Sequence, residues 1–185
     1  MSFFVICGNI IHGAKLEGYI IETNRITLKP YTNEDKEAMI ELLTNDYIKK
    51  TFMIPDFNSR DEVIKLFEKL KEFSYSKEHY ERGIYLGEHL IGFVNDVEIA
   101  NGVMEVGYVI HPDYNNKGYA TAALKIAIKE LFYEGYQEII AGAFEENIAS
   151  FRVMEKCGMT KTDRVEDIEY RRKTYHCRYY SIKNN

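Results

Sequence analysis

Glu105-Val-Gly-Tyr-Val-Ile-His-Pro-Asp-Tyr-Asn-Asn-Lys-Gly-Tyr-Ala-Thr121 runs from a strand through a short polar loop into a helix without a gap. The helix is marked by one apolar stripe, Ala120, Leu124, Ala127, Ile128 and Leu131, with Lys125, Lys129, Glu130 and Glu134 facing away. The first turn of such a helix leaves backbone N–H groups without intrahelical partners and carries the positive end of the macrodipole, so it suits a diphosphate. Gly118 removes the Cβ that would hold an anion off those amides, and Lys117 places a cation beside them.

Two common phosphate motifs do not fit. A P-loop needs a glycine four residues ahead of a Gly-Lys-Ser/Thr run, whereas here the lysine precedes the glycine and residues 114–116 hold none. A dinucleotide-binding Gly-x-Gly-x-x-Gly fails for the same reason. Taken alone, the loop reads equally as an ordinary strand-to-helix connection.

The loop's own pattern and three further stretches change that balance. Asn115-Asn116-Lys117-Gly118-Tyr119-Ala120 resembles the acyl-CoA loop of the GNAT superfamily of N-acetyltransferases, Gln/Arg-x-x-Gly-x-Gly/Ala, departing at its first position, where Asn115 stands for Gln or Arg. Glu105 to Pro112 resembles that family's fourth strand. Asn147-Ile-Ala-Ser150-Phe-Arg-Val-Met-Glu-Lys-Cys-Gly-Met159 resembles its next helix, and Glu22 to Pro30 its opening strand. The likeness covers roughly residues 20 to 182, and the branch it most resembles holds the Rim-type ribosomal-protein N-terminal acetyltransferases.

The resemblance implies an α/β fold of the α+β type, a mixed but mostly antiparallel sheet of about seven strands with helices on both faces. It implies acetyl-CoA as cosubstrate in the opening between the fourth and fifth strands, gripped by Asn115, Asn116, Lys117, Gly118, Tyr119, Ala120 and Thr121. No metal is called for, and the acceptor it implies is a primary amine, on a protein N-terminus or a small molecule.

Chain length and composition agree with a soluble protein of one domain: 185 residues, 45% hydrophobic, 29% charged. A net charge of −5, with no basic run longer than Arg171-Arg172-Lys173, argues against nucleic acid as a partner. Cys7, Cys157 and Cys177 form no CxxC pair, which speaks against a zinc site or disulfide framework and for the reducing cytoplasm. The apolar run at residues 3–7 is too short to span a membrane. Residues 1–18 read as an extension ahead of a domain at 19–185, with no internal repeat or linker. The oligomeric state, a homodimer included, stays open.

The periodicities place the remaining elements. Residues 20–31 alternate as a strand stopped by Pro30. Thr32, with Asp35 three residues on, caps a helix through Ala38, Met39, Leu42 and Leu43; Ser59-x-x-Glu62 opens another through Val63, Leu66, Phe67 and Leu70. The resemblance makes these helices and the 45–58 connection the wall of the acceptor site. Residues 84–86, 90–99 and 103–110 read as a meander, its second turn the type I′ signal Asn101-Gly102. Residues 137–143 form a fifth strand parallel to the fourth, Asn147 caps a short helix ended by Gly158, and strands follow at 159–165 and 174–182 across a polar connection at 166–173.

Glu105 is a carboxylate in a strand that otherwise reads as buried. Without a partner that is costly, so it faces a cleft or has a raised pKa, and either state suits a general base. A structural glutamate bonded to neighbouring backbone or tyrosine groups is the competing reading. The resemblance assigns Glu105 to deprotonation of the acceptor ammonium, Asn147 to the pantetheine arm and Ser150 to the departing thiolate. A strand that ends by splaying leaves N–H groups free near Val109 and Ile110 for the thioester oxygen. His111 before Pro112 reads as structural, and Cys157 as a small buried hydrophobe. The rival from another class is a non-catalytic acyl-CoA-binding or protein-interaction module on the same fold.

Overall fold

The computed structural model describes residues 26–184, so the expected extension at 1–18 and the first part of the opening strand lie outside the described residues. The strands are β1 (Ile26–Lys29), β2 (Glu81–Leu86), β3 (His89–Ala100), β4 (Val103–Ile110), β5 (Glu138–Phe144), β6 (Thr160–Tyr170) and β7 (Lys173–Lys183). The helices are α1 (Lys36–Thr44), α2 (Arg60–Tyr75), α3 (Tyr119–Tyr133) and α4 (Ile148–Lys156). The strands make one seven-stranded sheet in the order β1-β2-β3-β4-β5-β7-β6. Every neighbouring pair is antiparallel except β4 and β5, which run parallel across the α3 crossover.

Local chemistry accounts for the turns. Asn101 and Gly102 sit at φ 52° and 77°, the two left-handed conformations that a type I′ turn needs. Ser59 accepts a hydrogen bond from the Glu62 N–H at 3.3 Å, but the Glu62 carboxylate reaches the Asn58 N–H at 2.8 Å, one residue before the cap. Thr32 opens onto a 3₁₀ turn, Asn33–Asp35, before α1 begins, and its N–H donates to the Asp35 carboxylate at 2.6 Å.

The carboxy-terminal strands correct the sequence reading. Residues 166–173 are not a polar connection: β6 runs to Tyr170, β7 starts at Lys173, and the turn is only Arg171-Arg172, at φ 50° and 62°. The strand signal over 166–170 is weak because Glu166, Asp167 and Glu169 are charged and exposed, and pairing there rests on polar contacts such as the Tyr179 hydroxyl donating to Glu166 at 2.8 Å. The stack of Phe144, Tyr170 and Tyr175 then fixes the hairpin against β5.

Two cores lie on opposite faces of the sheet. One packs Leu124, Ala127, Ile128 and Leu131 of α3 and Met154 of α4 against Met104, Val106, Ile139 and Ala141. The other packs Met39, Leu42, Val63 and Phe67 of α1 and α2 against Tyr85, Phe93 and Val109. Leu124 is fully buried, so truncation to alanine there would cost about 2–5 kcal/mol. Alternation along β4 therefore sends Met104 and Val106 toward α3, and Glu105, Gly107 and Val109 toward α1 and α2.

Candidate active site

Strands β4 and β5 pair only over Val103↔Glu138, Met104↔Ile139 and Glu105↔Ile140. Beyond Glu105 they separate, although each stays paired on its other side, β4 with β3 as far as Ile110 and β5 with β7 as far as Phe144. The sheet thus has a wedge-shaped opening from residue 106 onward, with its apex at Glu105. The His111 N–H donates to the Ile91 carbonyl at 2.8 Å, and amides alternate along a strand, so the Val109 N–H points at β3 while those of Tyr108 and Ile110 point into the opening.

Above the opening sits the loop that leads into α3. Pro112–Tyr114 form a 3₁₀ turn, Asn115 is extended, and Asn116 and Gly118 are left-handed at φ 60° and 84°. Gly118 is the N-cap of α3, and the helix's own ladder begins with the Ala122 N–H donating to the Gly118 carbonyl at 3.0 Å. The amides of Tyr119, Ala120 and Thr121 precede that ladder and form the electropositive end of the helix. A diphosphate fits such an end, and the exposed Gly118 leaves its approach clear. The Lys117 ammonium is folded back onto the Asp113 carbonyl at 2.8 Å, so its positive charge lies beside the cradle rather than over it. His111 is held between Glu41 at 3.1 Å and the Asp113 N–H at 3.3 Å, a structural arrangement.

Across the opening, Asn147 caps α4, its side-chain oxygen accepting from the Ser150 N–H at 3.2 Å. Ser150 is half-buried in the first turn. The Tyr108 hydroxyl donates to the Ser150 carbonyl at 3.1 Å and so ties β4 to α4 from one side of the wedge to the other. Burial pushes that phenol well above its ordinary range, which keeps it a neutral donor. The sequence reading missed Tyr108, one residue before Val109, because nothing local separates it from the other tyrosines.

Glu105 and Ser150 belong to opposite faces: Glu105 points toward α1 and α2, whereas α4 packs on the α3 side, so the two can cooperate only through the opening. The Glu105 side chain is 12% exposed, and its carboxylate accepts from the Arg164 guanidinium at 2.8 Å. Burial raises the carboxyl above its usual range, and Arg164 offsets only part of that rise. Arg164 also donates to Glu166 at 2.8 Å and lies 3.8 Å from the Tyr179 ring centroid, while the Tyr179 hydroxyl donates to Glu166. Both bonds hold Glu166 below the usual carboxylate range. Arg164, Glu166 and Tyr179 were not singled out from the sequence.

The 45–58 connection crosses this same face. Phe52 lies over Gly107, and Ile54 is fastened to β6 by the Tyr170 hydroxyl, which donates to its carbonyl at 2.9 Å and accepts from its N–H at 3.3 Å. Asp56 adds an ion pair to Arg171 and another to Lys49. A 460 Å³ cavity lies at the far end of β4, lined by His79, Tyr80, Gly102, Met104 and Tyr136, away from the wedge. Among the described residues, no group of His, Cys, Asp and Glu is arranged to hold a metal ion, and no helix is long and apolar enough to cross a membrane. Cys157 and Cys177 are free and buried.

A split sheet with a glycine-capped helix at its mouth is the architecture of an acyl-CoA-dependent transferase, and the comparisons agree. The family described as "Acetyltransferase (GNAT) domain" matches residues 25–160, so the chain belongs to the GNAT acetyltransferases and is an acetyl-CoA-dependent N-acetyltransferase. It is 30% identical over 143 residues to the uncharacterised N-acetyltransferase YnaD of Bacillus subtilis, covering 76% of this chain and 82% of that one. Its fold is similar to spermidine N-acetyltransferase from Vibrio cholerae in complex with CoA and spermine, with a TM-score of 0.74 at 21% identity over 86% of this chain and 96% of that one. It is similar also to RimL, the ribosomal L7/L12 alpha-N-protein acetyltransferase, with a TM-score of 0.76 at 13% identity over 86% and 91% of the two chains.

Proposed function

We propose that the chain moves the acetyl group of acetyl-CoA directly to a primary amine within a ternary complex, with the cosubstrate in the β4–β5 wedge and the acceptor on the α1–α2 face. The observation that carries this is the end of β4–β5 pairing at Glu105, which puts a carboxylate of raised pKa at the apex of an opening capped by the α3 amide cradle. The site is assigned to residues 115–121 for the diphosphate and Asn147 for the pantetheine arm. Acetyl-CoA supplies the activated thioester.

Each side chain then has one task. Glu105 takes a proton from the acceptor ammonium, directly or through water, because only the free amine is nucleophilic. The amides on the open edge of β4, those of Ile110 and Tyr108, hold the thioester oxygen as charge develops there, whereas the Val109 N–H, expected from the sequence to share in this, is turned to β3. Ser150 donates to the departing thiolate from the first turn of α4. The Arg164 contact keeps the Glu105 carboxylate oriented and tempers a pKa that burial would raise further.

The acceptor is a protein N-terminal amine or a small-molecule amine. That spermidine N-acetyltransferase and RimL share this fold supports both kinds, and the chain's acidic balance is compatible with either. Turnover of acetyl-CoA against a panel of peptides, polyamines, amino acids and aminoglycosides tests the reading. Acetylation of one class identifies the acceptor, and absence of turnover with every amine, despite acetyl-CoA binding, refutes it. We place the reaction in the cytoplasm, because the sequence holds no CxxC pair and Cys157 and Cys177 are free, and in a domain spanning residues 19–185.

A further inference from the structure

We propose that Asn95 binds the acceptor amine, its side-chain carbonyl oxygen receiving an N–H of the incoming ammonium beside Glu105. The inference rests on the acetyl-transfer reading above and names the chemistry that recognises the acceptor. Asn95 on β3 pairs with Gly107 on β4, and Glu105 lies two residues along β4 on the same face, about 7 Å away along the strand. The Asn95 amide nitrogen donates to the Asp96 carbonyl at 2.9 Å, which fixes the orientation of the amide and leaves the oxygen, on the Gly107 side, as its free acceptor. That oxygen is buried and finds no hydrogen-bond partner among the described residues. A buried acceptor without a donor is destabilising, and an ammonium bound beside Glu105 would supply the donor.

The surrounding charge selects the donor. Arg164 is shared by two carboxylates, Glu105 and Glu166, so the cluster carries one net negative charge. Glu98 stands directly across from Glu105 and adds to it. An ammonium is therefore favoured, and an acceptor with a carboxylate beside its amine is disfavoured. Gly107 makes the meeting possible: a Cβ there would stand 2.9 Å from the Asn95 oxygen and 2.9 Å from the Phe52 ring. Phe52, packed edge-on against Phe93 at 5.5 Å, lies over Gly107 on this same face.

The test compares Asn95→Leu with Asn95→Asp, using Ala-Ala amide and spermidine as acceptor probes. Binding of each probe to the CoA-saturated protein is read by calorimetry, alongside acetyl-CoA affinity, melting temperature and, for the probe that turns over, KM and kcat. Asn95→Leu should weaken amine binding about 10- to 100-fold, the range for a hydrogen bond to a charged group, with acetyl-CoA affinity held. Asn95→Asp keeps an oxygen at the site and should bind the amine as the parent does or better. Equal weakening in both variants, unchanged binding in Asn95→Leu, or failure of the parent to bind either amine would overturn the proposal. Amine binding that follows this pattern without any acetyl transfer would sustain it and refute the catalytic reading instead.

Discussion

Replacing Gly118 by glutamate puts two separable burdens on the cofactor loop, and a Gly118→Ala control tells them apart. At φ 84° and ψ −3° any L-residue is strained, at about 1–2 kcal/mol, and alanine bears that strain alone. For a chain of this size such a loss lowers the melting temperature by roughly 2–8 °C, in both variants alike. The glutamate adds a negative charge at the N-cap of α3, next to the amides of Tyr119, Ala120 and Thr121. At about 5 Å and an effective dielectric of about 20, each unit of diphosphate charge is repelled by about 3 kcal/mol, so acetyl-CoA should bind at least ~100-fold more weakly. Calorimetric titration at two salt concentrations measures it, and the gap between the variants should narrow at high salt as the repulsion is screened. A folded Gly118→Glu protein that binds acetyl-CoA as tightly as Gly118→Ala would remove this loop from the site.

The other predictions concern single groups. Ser150→Ala should lower kcat far more than it weakens acetyl-CoA binding, because leaving-group assistance acts mainly in the transition state; single-turnover rates beside titrations check this, and losses in step would make Ser150 a cofactor contact. Glu105→Gln should lower turnover at neutral pH by about 10²- to 10⁴-fold and recover part of it as pH rises and more amine arrives deprotonated. Arg164→Met removes the group that offsets burial at Glu105, so the acid limb of the kcat/KM profile should move to higher pH; an unmoved limb would exclude Glu105 as the titrating base. Burial raises the Glu81 carboxyl from 4.5 to about 8, so the native state keeps a proton that the unfolded chain has released, and stability should be full below about pH 4.5 and fall as pH rises to about 8. Glu81→Gln should flatten that slope in urea denaturation, and an unchanged slope would assign it to other groups.

What was legible in the sequence is what short-range chemistry determines. The α3 stripe, the Ser59 cap and the Asn101-Gly102 turn each depend on residues within one or two turns, and each stands where periodicity or turn chemistry puts it. The parallel β4–β5 pair followed from the helix between them. Both strands of the β6–β7 hairpin were legible, but not its reach across 166–173, where the ends are held by side chains meeting across the sheet, such as Tyr170 bonded to Ile54 from 116 residues away. Over residues 166–173, Glu-Asp-Ile-Glu-Tyr-Arg-Arg-Lys, there is little hydrophobic alternation to detect.

The same limit explains why the role of Glu105 stayed divided between base and structural carboxylate. A burial argument needs only the apolar neighbours Met104 and Val106, and the direction of its pKa agrees with that argument. Whether the group has a partner depends on Arg164, which is 59 residues away in sequence and lies on β6 beside a register shift between Lys161 and Val165. The two readings then cease to exclude each other. A carboxylate that is partly buried and bonded to one guanidinium is both anchored and, because burial outweighs the cation, closer to neutral pH than a free glutamate. That combination gives a base a fixed direction without removing its affinity for a proton, and it makes Arg164 the side chain whose removal separates orientation from acidity.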